Sequence, residues 1–434
     1  MNSDRQKQHW DDELIHLGPG TSEAVAWAGL VIENAEGAHL TDIDGHRYLD
    51  LMGGAGVNLL GHSHPQYLAA MHAQMNAWMI GAHGSAARLA ALRGLAALLP
   101  RGLARIQFYS GGAEAVESAI RLAKSVTGKF EILSFWRSFH GRTAGALAVT
   151  GGGHLGYGPT VPGVHTAPYA YCYRCPLRAT YPGCGFGCIE LARNILREQS
   201  AGALAAVLVE PIQGRAGNIV PPPGYLKALR ELADEYDALL IADESMTGLG
   251  RTGTVLSIEH DDVHADIVIL GKGMGNGYPV TAIAAPASMM DSGPFSMPSA
   301  SSSSFGGFPL ACAAAASVTS VIRDQQLPSA AAATGATFLE QLRGGTEGFG
   351  VVGQVRGQGL AIGIELVADP GSREPLLKSA LRPLFEELLQ RGILVMFGGN
   401  SIRLYPPLTV TGAEMENAAS IIIETLGKFD RCLR

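Results

Sequence analysis

Hydrophobic and polar positions alternate along this chain in two rhythms. Between residues 105 and 285 short apolar runs recur, each too brief for a helix and closed by polar residues. Leu204–Val209, 238–242 and Ile267–Leu270 are runs of this kind, which predicts strands buried on both faces. Arg105–Tyr109 and 130–135 read as further strands. Between such runs the apolar residues fall at helical spacing, as at Val116, Ala119, Ile120 and Ala123. Strands alternating with helices predict a mostly parallel sheet wrapped by helices.

The flanks differ. Residues 1–30 read as a loosely attached arm docked by Trp10 and Trp27. A hairpin over 37–50 turns at Asp44-Gly45. Helices are expected at 68–78, 86–99, 310–322, 329–342, 380–391 and 412–427. Beyond about 328 the pattern becomes α+β, with strand-like runs at 355–365, 393–397 and 401–405. The expected division is an arm and part of a small domain over 1–65, a large domain over 66–320, and a small domain completed by 321–434.

Composition narrows the class. The 434 residues are 47% hydrophobic and 16% charged, with a net charge of −7 and no basic footprint for nucleic acid. The polar N-terminus and the lack of a long apolar window predict neither a signal peptide nor a membrane anchor. The expected location is therefore the cytoplasm, with the six cysteines reduced.

Chemistry gathers where the apolar runs stop. One run ends on Asp243-Glu244, the next on Gly271-Lys272-Gly273, and open α/β sheets place their ligands at such strand ends. An amine in an apolar setting has its pKa lowered, as Schiff-base chemistry requires. A carboxylate beside it suits the ring nitrogen of pyridoxal phosphate. The plainer alternative is an Asp capping a loop and a Lys reaching solvent. Ser110-Gly111-Gly112-Ala113 opens a helix and is a candidate phosphate cradle, although such turns are common. Further polar or aromatic strand ends, near Phe139 and Glu210, favour an active site.

Cys172-x2-Cys175-x8-Cys184-x3-Cys188 stands apart. It reads either as a structural zinc knuckle or as a loop of free or transiently oxidised thiols. Its spacing is shorter than in most zinc ribbons, and no metal is expected at the active site.

With these residues assembled, the chain resembles the class III (omega) aminotransferases, which use pyridoxal phosphate. The motifs that carry the resemblance include Gly61-His62-Ser63-His64-Pro65, Gly112-Ala113-Glu114-Ala115 and Phe139-His140-Gly141-Arg142-Thr143. Glu210-Pro211-Ile212-Gln213-Gly214, Thr247-Gly248-Leu249-Gly250-Arg251-Thr252-Gly253, Gly271-Lys272-Gly273 and Arg403-Leu404-Tyr405-Pro406-Pro407-Leu408 follow in order.

The resemblance implies a fold-type-I α/β architecture: a mostly parallel seven-stranded sheet in a large domain, plus a smaller α+β domain. It makes Lys272 the Schiff-base lysine and Asp243 the partner of the ring nitrogen. Gly112 and Ala113 would bind phosphate and Phe139 would stack on the ring. His140, Ser245, Met246, Ser303 and Ser304 would complete the cofactor site. Ser304 would reach the phosphate of a neighbouring subunit, so a homodimer with shared sites is implied. Arg403 would grip a substrate carboxylate, assisted by Arg142 and Glu210.

Where the family usually has Val-Gln after the Asp-Glu pair, this chain has Ser245-Met246, and Arg215 replaces a Glu found in many members. Pocket loops near 20–30, 52–58, 80–86 and 154–185 would set the acceptor. These departures lead to the expectation of a Glu or Ala donor and a bulky carbonyl acceptor such as an amino-sugar aldehyde. A racemase or epimerase of the same family and an ordinary ω-amino-acid transaminase are the alternatives.

Overall fold

The computed structural model describes residues 3–433 except 19, 21 and 153–155, so part of two of the expected pocket loops lies outside the described residues. Its centre is a seven-stranded sheet. In chain order the strands are β1 (Arg105–Tyr109), β2 (Glu131–Phe135), β3 (Val164–Ala167), β4 (Leu204–Val209), β5 (Leu239–Asp243), β6 (Ile267–Leu270) and β7 (Thr281–Ala285). Across the sheet they run β1-β7-β6-β5-β4-β2-β3. β7 is antiparallel to both of its neighbours, and the pairings from β6 across to β3 are parallel.

Period-two alternation divides each strand between two cores. Ile267 and Ile269 of β6 face a cluster built on the helix Gly112–Thr127 through Val116, Ala119 and Ile120. Val268 and Leu270 face the larger cluster, which includes Leu226 and Leu229 of the helix Tyr225–Glu235. Both faces of the sheet are covered, which is why β4 and β6 lack polar residues. β3 is Val-His-Thr-Ala, without an apolar run, and sequence pattern passes over it. Phe130 lies outside β2 and is 54% exposed.

A second sheet joins Ile32–Glu36, His39–Asp42 and Arg47–Asp50 to Ile393–Leu394 from the far end of the chain. A third contains Val352–Gln358, Ala361–Asp369, Met396–Gly398 and Ser401–Leu404. The strand expected at 355–365 is therefore two antiparallel strands, which fold back at Gly359 with φ +54°. Only glycine tolerates that conformation without strain, so the chain reverses there.

The N-terminal arm is not loosely attached. Its helix Asp4–Leu14 buries Gln6, whose amide donates to Asp42 (2.9 Å) and Asp44 (2.8 Å) and accepts from Val31 N (3.1 Å). Trp27 packs edge-on against Phe385 and Phe397 at 5.7 and 5.8 Å. Among the described residues no helix is long and apolar enough to cross a membrane.

Candidate active site

Because β2, β4, β5 and β6 are parallel, their carboxyl ends share one edge, and the chemistry predicted at separate places in the chain meets there. Asp243 is the last residue of β5 and is buried. Its Oδ2 accepts from His140 Nδ1 at 2.8 Å and its Oδ1 from Ser245 N at 3.1 Å. Burial pushes the Asp243 carboxyl up, but His140, Ser245 and the Lys272 charge outweigh it and hold it below its ordinary value. His140 is itself buried and leaves Nε2 without a protein partner.

Lys272 follows β6 in the left-handed region, at φ 42°. A non-glycine residue there is uncommon and is held by its surroundings. Burial lowers its amine pKa, Asp243 and Glu210 oppose that shift, and Arg403 adds to it. Burial pushes Glu210 up instead. Its two oxygens accept from Phe139 N (2.8 Å) and Gly214 N (3.2 Å), fixing the ends of two loops.

The helix Gly112–Thr127 starts from Gly111 with no side-chain cap, and a side chain at Gly112 would meet open space. Its first N–H groups are thus free of helical acceptors and point along the positive end of the dipole. Glu114 turns back to Ser110, accepting from its N–H (3.0 Å) and hydroxyl (3.2 Å), and also bonds Ser303.

A cavity of about 490 Å³ opens above this floor. Lys272, Glu210, Met246, Phe139, Arg142 and Arg403 line it, and Ala55 stands at its wall. Arg403 donates to Gly214 O (3.1 Å) and Phe397 O (2.9 Å) and keeps a buried Nε unpartnered. A Cβ at Gly398 would sit 2.5 Å from that Nε, so glycine there leaves Arg403 its room.

Two guanidiniums lie over the Phe139 ring, Arg142 at 5.0 Å and Arg215 at 4.9 Å. Burial and the neighbouring Arg142 and Arg403 charges lower the Arg215 pKa. None of the three arginines has an ion pair with a carboxylate among the described residues. The cavity's Glu23 is already paired with Lys378 at 2.7 Å.

Ser303 sits beside Glu114 of its own chain, while Ser304 is exposed and does not line the cavity. Ser245 tucks beneath Gly271 instead of facing the cavity. Of the expected pocket loops, 20–30 and 52–58 contribute lining residues and 80–86 does not. Trp27 of the expected 20–30 loop lines the cavity, and so do Phe397 and Gly399, which have no local signal in sequence to announce them.

These residues fit pyridoxal phosphate. A buried amine of lowered pKa faces a buried carboxylate kept ionised, and an uncapped helix N-terminus stands at the same sheet edge to receive phosphate.

The family described as Aminotransferase class-III matches residues 22–426. An acetylornithine aminotransferase of Methanopyrus kandleri is 36% identical over 400 residues, covering 90% of this chain and 92% of that protein. A leucine/methionine racemase of Thermococcus litoralis is 32% identical over 418 residues, covering 94% and 91%. The crystal structure of an amine transaminase from an uncultivated Pseudomonas species, with pyridoxal phosphate bound, superposes with a TM-score of 0.88 at 34% identity, covering 95% and 98%. The chain belongs to the class III aminotransferases, pyridoxal-phosphate-dependent transaminases of fold type I.

Proposed function

We propose that this transaminase exchanges amino groups between glutamate and an ω-aldehyde whose far end is anionic or neutral, not cationic. The observation that carries this reading is the set of three arginines, without carboxylate partners, around one cavity. Such a cavity attracts a dicarboxylate and repels a distal ammonium. Arg403 would take one carboxylate and Arg142 the other, with Arg215 adding field and selectivity. That charge favours an anionic acceptor over the neutral amino-sugar aldehyde expected from sequence. N-acylated ornithine has the required character, and a relative is named for it; free ornithine does not.

When bound, the cofactor would supply an electron sink for the substrate carbon that carries the exchanged amine. Lys272 Nζ would carry a proton between the amine-bearing carbon of the substrate and the cofactor, a task that the burial-lowered pKa of its amine favours. Asp243 holds the proton on the ring nitrogen, and His140 holds Asp243. Glu210 sets the loops of Phe139 and Gly214 and so the height of the arginines. Gly112 and Ala113 N–H groups receive the phosphate. In the homodimer with shared sites that the family resemblance implies, exposed Ser304 would reach the phosphate held by the second copy of the chain.

A donor panel tests the reading. Glutamate should outperform alanine, and N-acetylornithine should outperform ornithine in kcat/KM. Ornithine equal to or better than its acetylated form would overturn it. Racemisation is a second reading, favoured by the racemase among the relatives. It requires a single enantiomer to invert in the absence of any oxo acid, with no loss of amine.

A further inference from the structure

Behind the cavity stands an arginine that does not line it but joins segments that do. Arg356, on Val352–Gln358, is 5% exposed, and its guanidinium reaches two other parts of the chain. Nε donates to Asn218 O (3.0 Å), and Nη2 to Gly217 O (2.7 Å) and Ser401 Oγ (2.7 Å). Nη1 donates to Gln354 Oε1 (3.2 Å) and pairs with Glu365 Oε2 at 2.8 Å. Glu365 is 2% exposed and also accepts from the Tyr171 hydroxyl, the Ser401 hydroxyl (3.0 Å) and Arg174 Nε (2.8 Å). Arg174 belongs to the cysteine loop, whose four thiols are free.

This cluster holds the backbone behind two cavity cations. Residues 213–219 form an excursion closed by Gln213 and Ile219, which exchange backbone hydrogen bonds of 3.0 and 3.1 Å. The excursion carries Arg215, whose guanidinium lies over Phe139, and Gly214, whose carbonyl accepts from Arg403. Arg356 grips its other half, at Gly217 and Asn218. Gly217 has φ +121°, and a Cβ there would lie 2.6 Å from Ser401 Oγ and 3.0 Å from Arg356 Nη2, so glycine admits the guanidinium. Asn218 Oδ1 accepts in turn from the Tyr405 hydroxyl at the cavity wall. Ser401 opens the strand Ser401–Leu404, which carries Arg403. One buried cluster therefore ties the support of Arg215 to that of Arg403.

A buried ion pair is weak evidence for stability, because desolvation of both charges offsets much of their attraction. Apolar side chains of similar volume would pack the same space. They could not hold two carbonyl oxygens and a hydroxyl from separate segments in one plane, as the rigid guanidinium fork does. The contribution specific to this pair is geometric.

We propose that Arg356 and Glu365 are positioning residues for an anionic substrate: they fix where Arg215 and Arg403 stand, without touching substrate or cofactor. The inference rests on the proposed reading of the cavity as a dicarboxylate site. Without the fork, Gly217 and Asn218 lose their anchor, and the excursion relaxes with Arg215 and the Gly214 carbonyl on it. Dicarboxylate binding then weakens while Lys272, Asp243 and the helix N-terminus at Gly112 keep their places.

The probe is glutarate, a dicarboxylate without an amine, titrated calorimetrically into the holoenzyme. Arg356→Lys keeps a charge for Glu365 but has no fork to hold Gly217 O and Asn218 O together. It should bind glutarate on the order of tenfold more weakly than wild type, with cofactor content and absorbance unchanged. A purely structural pair would lower the melting temperature and leave the glutarate affinity of the folded enzyme as it was, and that result would overturn the proposal. If Arg356→Lys does not fold, Ser401→Ala removes only the shared hydroxyl and should weaken glutarate about threefold. Unchanged affinity in that variant overturns the proposal equally. The substrate reading fails separately, in the donor panel: wild type that favours ornithine yet binds glutarate leaves the positioning test intact. Wild type that binds no glutarate would overturn both.

Discussion

At the scale of single residues, the proposed chemistry rests on Lys272 and Asp243, which are held by different means. Lys272 is fixed by a left-handed backbone between two glycines, Asp243 by hydrogen bonds from His140 and Ser245. Lys272→Ala should therefore remove turnover and the absorbance of lysine-bound cofactor, and turnover at the wild-type rate would contradict the assignment. Asp243→Asn leaves a neutral partner for both the ring nitrogen and His140. Turnover should fall on the order of 10³-fold, as when other groups aimed at developing charge are removed. A loss below tenfold with cofactor bound would move that role elsewhere. Arg215→Glu reverses the field above Phe139 and should shift kcat/KM toward free ornithine and away from N-acetylornithine, by on the order of tenfold. Lys272 and Asp243 were readable in sequence because apolar runs stop abruptly at them. The contacts of Asp243 with His140, and of Arg142 and Arg215 with one ring, were not. Asp243 with His140, and Arg215 with Phe139, join residues far apart in the chain that only the sheet brings together.

At the scale of elements, close backbone approaches decide what sequence pattern cannot. The helix Leu327–Gly345 crosses the reversal at Gly359 so closely that a Cβ on Gly335 would lie 2.0 Å from the Gly359 carbonyl oxygen. Neither backbone can yield easily, so Gly335→Ala should lower stability by about 1–3 kcal/mol. A thermal melt checks this, and an unchanged midpoint would mean that the helix slides freely. The same reversal explains why one strand was expected where two exist. Residues 355–365 carry neither an Asn-Gly nor an Asp-Gly turn signal, and the break falls at Gly359 through its left-handed backbone. Most helix ends drifted by a turn or less from expectation, since fraying and capping govern them locally, but the last helix, expected over 412–427, runs on to Leu433. The apolar strands kept their places because burial on both faces leaves them no other reading.

At the scale of the whole molecule, burial leaves charge questions that act on the entire fold. Glu244, beside Asp243, is pushed up to about 7 by burial, against hydrogen bonds from Thr247, Ile258 N (2.8 Å) and Ser257. Its folded value lies above its ordinary 4.5, so between those values the folded chain keeps a proton that the unfolded chain has released. Its contribution to stability is full below about 4.5 and is lost as pH rises through about 7. Wild-type stability should decline across that window more steeply than that of Glu244→Gln, by on the order of a few kcal/mol. Denaturant midpoints at several pH values measure the difference, and parallel curves would rule it out.

The position of β1 at the sheet edge bears on how the protein is made. Its one neighbour is β7, with Arg105 opposite Ala285. While the ribosome completes the intervening chain, on the order of ten seconds or more at ordinary elongation rates, β1 and the glycine turn after it have no partner strand. The nascent chain therefore carries an open edge until β7 has been made, a state that chaperones shield and that aggregation exploits. Lys272, the proposed Schiff-base lysine, also leaves the tunnel only shortly before Thr281–Ala285, the strand that closes the sheet.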